Sequence, residues 1–191
     1  VYGSHNTMTY LPIKNWWLFP GLLSARCQNH NIGEQFLHGA RVFDLRIYFN
    51  VKSKQWEFAH GLINFKSCVD IHKIVRNIRD FTDFTKDDMY VRIILEKWNS
   101  ESECRQFAKM CKTFEMCYPK LKFIGGNRKG DWKKLYTFKT DVPDNLNNQW
   151  VSSMAEDARW YEKVFPFLYA LRMNKRNRLR MKEKLNLFDF V

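Results

Sequence analysis

The chain has 191 residues, 45% hydrophobic and 16% aromatic, with a formal net charge of +12. This composition excludes a disordered polymer, and no apolar run approaches the ~20 residues that span a bilayer. The charge favours an anionic partner: a membrane surface, a phosphate-bearing substrate or nucleic acid.

Val1 to Ser4 reads as the end of a strand, which leaves His5 and Asn6 at its C-terminal edge. Because the sequence opens inside a strand, the natural N-terminus is expected to lie further upstream. Next comes L-P-I-K-N-W-W-L-F-P-G, where Pro12 is expected to open a helical turn and Pro20-Gly21 to close it. Trp16, Trp17, Leu18 and Phe19 cannot all face one core from so short a helix. With Lys14 beside them they are candidate membrane-contact residues, and a buried aromatic plug is the alternative. Residues 31–39 read as a helix ending at Gly39, with Ile32, Gln35 and Phe36 on one side.

The most informative stretch runs from Gly39 to Gly61. In G-A-R-V-F-D-L-R-I-Y-F, Phe43, Leu45 and Ile47 alternate with Asp44, Arg46 and Tyr48. Side chains of a strand alternate between faces, so one face is apolar and the other carries an acid and a base. Such a charged pair is costly to bury unless it is paired or used. A second strand, W-E-F-A-H-G, delivers His60 at its end.

Beyond it, Ile71, Ile74, Val75, Ile78 and Phe81 recur at helical spacing within residues 70–84. Tyr90 to Trp98 reads as a strand with Arg92, Ile94 and Glu96 on one face. Arg92, Glu96 and Lys97 are candidate substrate-binding residues. Ser100 and Glu103 have capping-box spacing ahead of a helix that buries Cys104, Phe107, Ala108, Cys111 and Phe114, and Pro119 ends it. Leu121 to Ile124 is a short strand. Residues 130–150 have no readable pattern, and 151–171 read as helix interrupted at Pro166. Residues 172–184 hold seven Lys and Arg, and the chain ends on an apolar strand containing Asp189.

The five cysteines show no zinc spacing, and their helical placement favours small core residues in a reducing, cytoplasmic compartment over a secreted one. Repeats and linkers are absent, so residues 1–191 read as one domain. Strand–helix alternation predicts an α/β fold with a parallel sheet. A His after the first strand and an Asp in the last meet if the sheet closes into a barrel. The expected fold is therefore a small, distorted TIM (β/α) barrel with His5, Arg46, His60 and Glu96 at the C-terminal ends of strands.

Three segments carry a family resemblance: G-S-H-N-T-M, then I-x-E-Q-x-x-x-G-A-R-V-F-D-L-R, then A-H-G. In order and spacing they resemble the catalytic X region of phosphatidylinositol-specific phospholipase C, and P-I-K-x-W-W resembles the membrane-facing helix of its bacterial members. The likeness is strong over residues 1–62, fair at I-I-L-E-K and L-F-D-F-V, and poor between. It implies phosphodiester cleavage with His5 as general base, His60 as general acid and Asp189 orienting the base. Imidazole, with a pKa of about 6.5, serves either role near neutrality. Arg46 is suited to neutralising charge on a pentacoordinate phosphorane.

The sequence is a hybrid of two family patterns. Metal-independent bacterial members carry Asp where this chain has Asn6. Calcium-dependent eukaryotic members share Asn6, Asp44 and Glu96 but have an acid where Arg46 stands. A guanidinium there would repel calcium, so no metal or other cofactor is expected. The alternative is calcium held by Asn6, Asp44 and Glu96. The expected partner is a phospholipid substrate at a membrane surface, with the protein peripheral to it. The other readings are a catalytically lapsed barrel that binds headgroups, a phosphodiesterase for another lipid, and a basic nucleic-acid-binding protein. No nucleic-acid module supports the last of these.

Overall fold

The computed structural model describes residues 1–15, 17, 25–66, 70–97, 100–126, 135–139, 158–178 and 186–188. Trp16, Leu18, Phe19 and Asp189 lie outside the described residues, as does the unreadable stretch at 140–150.

In chain order the strands are β1 (Tyr2–Ser4), β2 (Val42–Asn50), β3 (Gln55–His60), β4 (Ile63–Asn64), β5 (Met89–Lys97), β6 (Leu121–Gly126) and β7 (Asn186–Phe188). The helices are α1 (Ile32–Leu37), α2 (Ile71–Phe81), α3 (Glu101–Cys117), α4 (Trp160–Val164) and α5 (Pro166–Arg178), and a 3-10 turn covers Thr7–Tyr10. Local chemistry sets these boundaries. Asn31 and Glu34 form a reciprocal capping box on α1, Asp70 caps α2, and Ser100 accepts from the Glu103 N–H to start α3. Gly39 follows α1 at φ 97°, a conformation that costs a residue with a Cβ.

β7, β1, β2, β5 and β6 lie side by side in that order, all parallel. β3 is antiparallel to β2, pairing Ile47–Asn50 with Gln55–Phe58, and β4 is antiparallel to β3. The expected parallel sheet thus carries an antiparallel extension: a short polar connection after Asn50 makes a hairpin, not a crossover. β1 pairs with the start of β2 and β3 with its end, so β3 continues the edge where β1 stops. Among the described residues the sheet is open, with no pairing between β6 and β7.

Phe43, Leu45, Ile47, Val91, Ile93 and Leu95 project from one face of β2 and β5 into a core with α2 and α3. Ile71, Ile74, Val75 and Ile78 of α2 and Cys104, Phe107, Cys111 and Phe114 of α3 close that layer. Each residue sits where the 2.0 and 3.6 periodicities put it. The opposite face of β2 and β5 is polar, with Asp44, Arg46 and Glu96 buried: Asp44 stands beside the partly buried Arg92 in register, and Glu96 lies further along β5.

Near the N-terminus the expected helical turn at Pro12 is replaced by an extended bridge. Ile13 pairs antiparallel with Phe65, and Lys14 N–H donates to the Asn64 carbonyl at 2.7 Å. Proline there satisfies extended backbone as readily as a helix start.

Candidate active site

The site is built where β1 and β3 end, beside the middle of β2 and the last residues of β5. Arg46 therefore stands within its strand and not, as expected, at its C-terminal end. β1 stops at Ser4, and the backbone of His5 is pinned on two sides. Its N–H donates to the Phe188 carbonyl (2.9 Å), and its carbonyl accepts from Gln28 Nε2 (3.0 Å). Gln28 also donates to the Phe188 carbonyl at 2.8 Å, so it clamps the first strand to the last. Asn6 then turns into the left-handed region (φ 48°, ψ 56°), which asparagine tolerates better than most residues. That turn aims the Asn6 N–H at Asp44 Oδ2, 3.0 Å away. The Thr7 hydroxyl accepts from the Asp44 N–H (2.9 Å) and donates to the Ser4 carbonyl (3.2 Å), locking the turn onto β2.

Asp44 is fully buried, and both of its oxygens are engaged. Oδ2 accepts from Arg46 Nε (3.0 Å) as well as from Asn6, and Oδ1 accepts from Arg92 Nη1 (3.0 Å). Burial acts to raise the carboxyl, but Arg46 and Arg92 outweigh it and hold Asp44 below the usual carboxylate range. Burial likewise acts against the charge on Arg46, and Asp44 and Glu96 more than restore it.

Arg46 links this cluster to the first histidine. Its Nη2 donates to His5 Nε2 at 2.6 Å. Because arginine only donates, His5 Nε2 is the acceptor and carries no proton. Arg46 Nη1 lies 3.9 Å from Glu96 Oε2, and neither atom has a hydrogen-bond partner among the described residues. Asn6 Nδ2 is buried and unpaired in the same sense. Buried polar atoms are normally paired, so these atoms of Arg46, Glu96 and Asn6 mark a place shaped for polar ligand groups. Glu96 Oε1 accepts from the Gly61 N–H (2.8 Å), which ties β5 to the turn after the second histidine.

His60 faces His5 with ring centroids 6.0 Å apart and the rings nearly perpendicular, at 87°. Its Nδ1–H donates to the Ala25 carbonyl at 2.8 Å, which leaves Nε2 as the nitrogen for a transferable proton. Cys27 Sγ lies 3.8 Å from the same Nδ1.

The structure therefore brings together His5, Asn6, Asp44, Arg46, His60, Arg92 and Glu96. Lys97 is engaged elsewhere: its ammonium donates to the Leu62 carbonyl (3.3 Å) and Asn64 Oδ1 (2.5 Å) and stands over the Tyr48 ring. Arg92 serves Asp44. Of the four apolar residues at 16–19, Trp17 is described and is exposed, while Lys14 pairs with Glu57 at 2.9 Å. Ala25, Cys27, Gln28 and Gly61 also belong to the site; Ala25 and Gly61 act through backbone atoms, which a sequence does not distinguish.

The residues do not fit a calcium ion. Both Asp44 oxygens are taken by guanidinium and backbone donors, and Arg46 holds the space between Asp44 and Glu96. Among the described residues no group of three His, Cys, Asp or Glu is placed to hold a metal.

The fold has counterparts among solved structures. A phosphatidylinositol-specific phospholipase C from Listeria monocytogenes superposes with a TM-score of 0.50 at 17% identity, covering 68% of this chain and 50% of that one. The Staphylococcus aureus phosphatidylinositol-specific phospholipase C gives 0.50 at 13% identity, over 68% of this chain and 47% of that one. The fold is phospholipase C-like. This chain spans about half the length of those enzymes. No family model and no curated protein matches the chain.

Proposed function

We propose that the chain cleaves phosphatidylinositol-type lipids into diacylglycerol and a cyclic inositol phosphate, on a small distorted barrel of which the parallel strands form part. The observation that carries this reading is the pair His5 and His60, held 6.0 Å apart beside the buried Arg46 guanidinium. With the rings this close and nearly perpendicular, one bound phosphodiester can reach a nitrogen of each imidazole.

The chemistry follows from the contacts. A phosphate oxygen makes a stronger charge-assisted bond to Arg46 than an imidazole does, so an entering phosphodiester draws Nη2 away from His5. His5 Nε2 is then released to take the proton of the inositol 2-hydroxyl. The 2-oxygen attacks phosphorus, the bond from phosphorus to the diacylglycerol oxygen breaks, and that oxygen takes a proton from His60 Nε2. Asp44 and Glu96 balance Arg46 and Arg92. An imidazolium at His60 then matches a monoanionic phosphodiester, so the site stays near neutral while the reaction moves one proton in and one out. Arg46 Nη1, with its unpaired donor, is placed to meet charge that grows on the phosphorane. Asp189 is proposed to orient His5.

Phosphorus NMR of the water-soluble product from phosphatidylinositol tests this mechanism. A cyclic phosphodiester is expected first. Phosphatidic acid, or a noncyclic monoester from the first turnover, would contradict it.

A further inference from the structure

The turn that carries His60 is held by a strand outside its own hairpin. β3 and β4 are joined by Gly61 and Leu62 alone, with His60 opposite Ile63. Gly61 stands at φ 56° while Leu62 keeps a negative φ, the pattern of a type II′ turn with glycine first. The Phe65 N–H donates to the Phe58 carbonyl at 3.0 Å, and hydrogen-bonded pairs alternate along an antiparallel ladder, so His60 and Ile63 are the next such pair. That pattern leaves the Gly61 N–H and the Leu62 carbonyl without partners inside the hairpin. Both are met by β5. The Gly61 N–H donates to Glu96 Oε1 at 2.8 Å, and the Leu62 carbonyl accepts from Lys97 Nζ at 3.3 Å. Lys97 also donates to Asn64 Oδ1 at 2.5 Å, just beyond the turn on β4.

Neighbours on a regular strand point to opposite faces. β5 is irregular at this point. Ile47 pairs with Leu95 and Tyr48 with Lys97, so Glu96 is an extra residue with no opposite number on β2. A bulge of this kind re-aims the side chains around it. Here Glu96 and Lys97, adjacent in sequence, grip one turn together. Glu96 also faces the guanidinium of the site, with Oε2 3.9 Å from Arg46 Nη1. The Lys97 ammonium stands 5.2 Å from the centre of the Tyr48 ring.

We infer that Lys97 is a positioning residue for His60 and not a contact for the substrate. The Ala25 carbonyl holds Nδ1 of the His60 ring, and the backbone of the turn decides where Nε2 then points. Glu96 fixes one end of that turn and Lys97 the other. The ammonium is engaged by two protein acceptors and an aromatic face, which leaves the substrate phosphate to Arg46. The inference rests on the proposed role of His60 as general acid; the clamp itself is a property of the fold.

Kinetics and hydrogen exchange of the full chain carrying Lys97→Met test it, since methionine keeps the length of the side chain without the ammonium. On phosphatidylinositol in detergent micelles kcat should fall about 10- to 100-fold, the cost of a misplaced reacting group. KM should stay within about twofold, because no substrate contact is lost. A substrate with an acidic leaving group needs little help from His60, so on it the loss should shrink to about threefold or less. Lys97→Arg, which keeps donors for Leu62 and Asn64, should recover most of kcat. By NMR the Gly61 amide should exchange about tenfold faster in Lys97→Met, because half of its clamp is open.

A higher KM with kcat unchanged would make Lys97 a substrate contact and overturn the inference. An equal loss on both substrates would overturn it too. If circular dichroism shows Lys97→Met unfolded, Asn64→Ala, which removes an acceptor and leaves the ammonium, decides by the same measurements. An unaltered chain that releases no inositol phosphate would remove the phospholipase reading alone. Gly61 exchange then decides the clamp, and an unchanged rate in Lys97→Met overturns it.

Discussion

Arg46 Nη2 donates to His5 Nε2 at 2.6 Å, and the same guanidinium donates through Nε to Asp44 at 3.0 Å. The proposed base is therefore capped by the group proposed to bind phosphate. The substrate's own anion would uncap it, which couples phosphate binding to base release.

Arg46→Lys tests that coupling. Lysine keeps the charge but has no fork to reach His5, Asp44 and a phosphate together. Turnover should fall by about 10²–10³-fold, the range for losing one preorganised donor at a developing charge. Steady-state kinetics on a soluble inositol-phosphate ester provides the measurement, and near-normal turnover would separate Arg46 from the chemistry.

Metal independence follows from the same geometry. Activity should survive EGTA, because Arg46 occupies the space between Asp44 and Glu96 and Asp44 has both oxygens engaged. Loss in EGTA with recovery on adding calcium would make Asn6, Asp44 and Glu96 the ligands.

Asp44 makes the fold acid-sensitive. Its carboxyl titrates lower in the folded chain than its ordinary value of 3.8. A depressed carboxylate contributes stability that is full above the unfolded pKa and is lost as pH falls through the folded one. Stability should thus decline as pH drops below about 4, and Asp44→Asn should remove that part of the decline. The same variant leaves Arg46 and Arg92 buried without their acid, a cost of about 3–5 kcal/mol in urea unfolding at neutral pH.

Trp16→Ala with Trp17→Ala should weaken vesicle binding and vesicle turnover while sparing cleavage of a soluble ester. Trp17 is exposed, as a contact residue requires. An unfolded double variant, or an equal loss on the soluble ester, would make these residues core.

Much of the site was legible because strand periodicity is strict. Phe43, Leu45 and Ile47 against Asp44 and Arg46 assigned the two faces of β2 directly, and both proved buried. The helices were equally clear: Asp70 and Ser100 cap them, and the 3.6 spacing of Ile71, Ile74, Val75 and Ile78 marks the buried side. The β2–β3 hairpin was not read as antiparallel, because a period-2 pattern does not encode strand direction. Pro12 leads into an extended bridge and not a helical turn, because proline's fixed φ suits both. The partners of His60 and His5 were invisible. A carbonyl such as that of Ala25 belongs to every residue, and Gln28 gains its role only when β1 and β7 meet.

The central claim is that two histidines share the proton work. Release of water-soluble inositol phosphate from phosphatidylinositol in detergent micelles, by the unaltered chain and by His5→Ala and His60→Ala, tests it most directly. The account predicts release by the unaltered chain, a fall of about 10²–10⁴-fold in each variant, and partial rescue of His60→Ala alone by a substrate with an acidic leaving group. No release by the unaltered chain, or a variant with near-full activity, would contradict it.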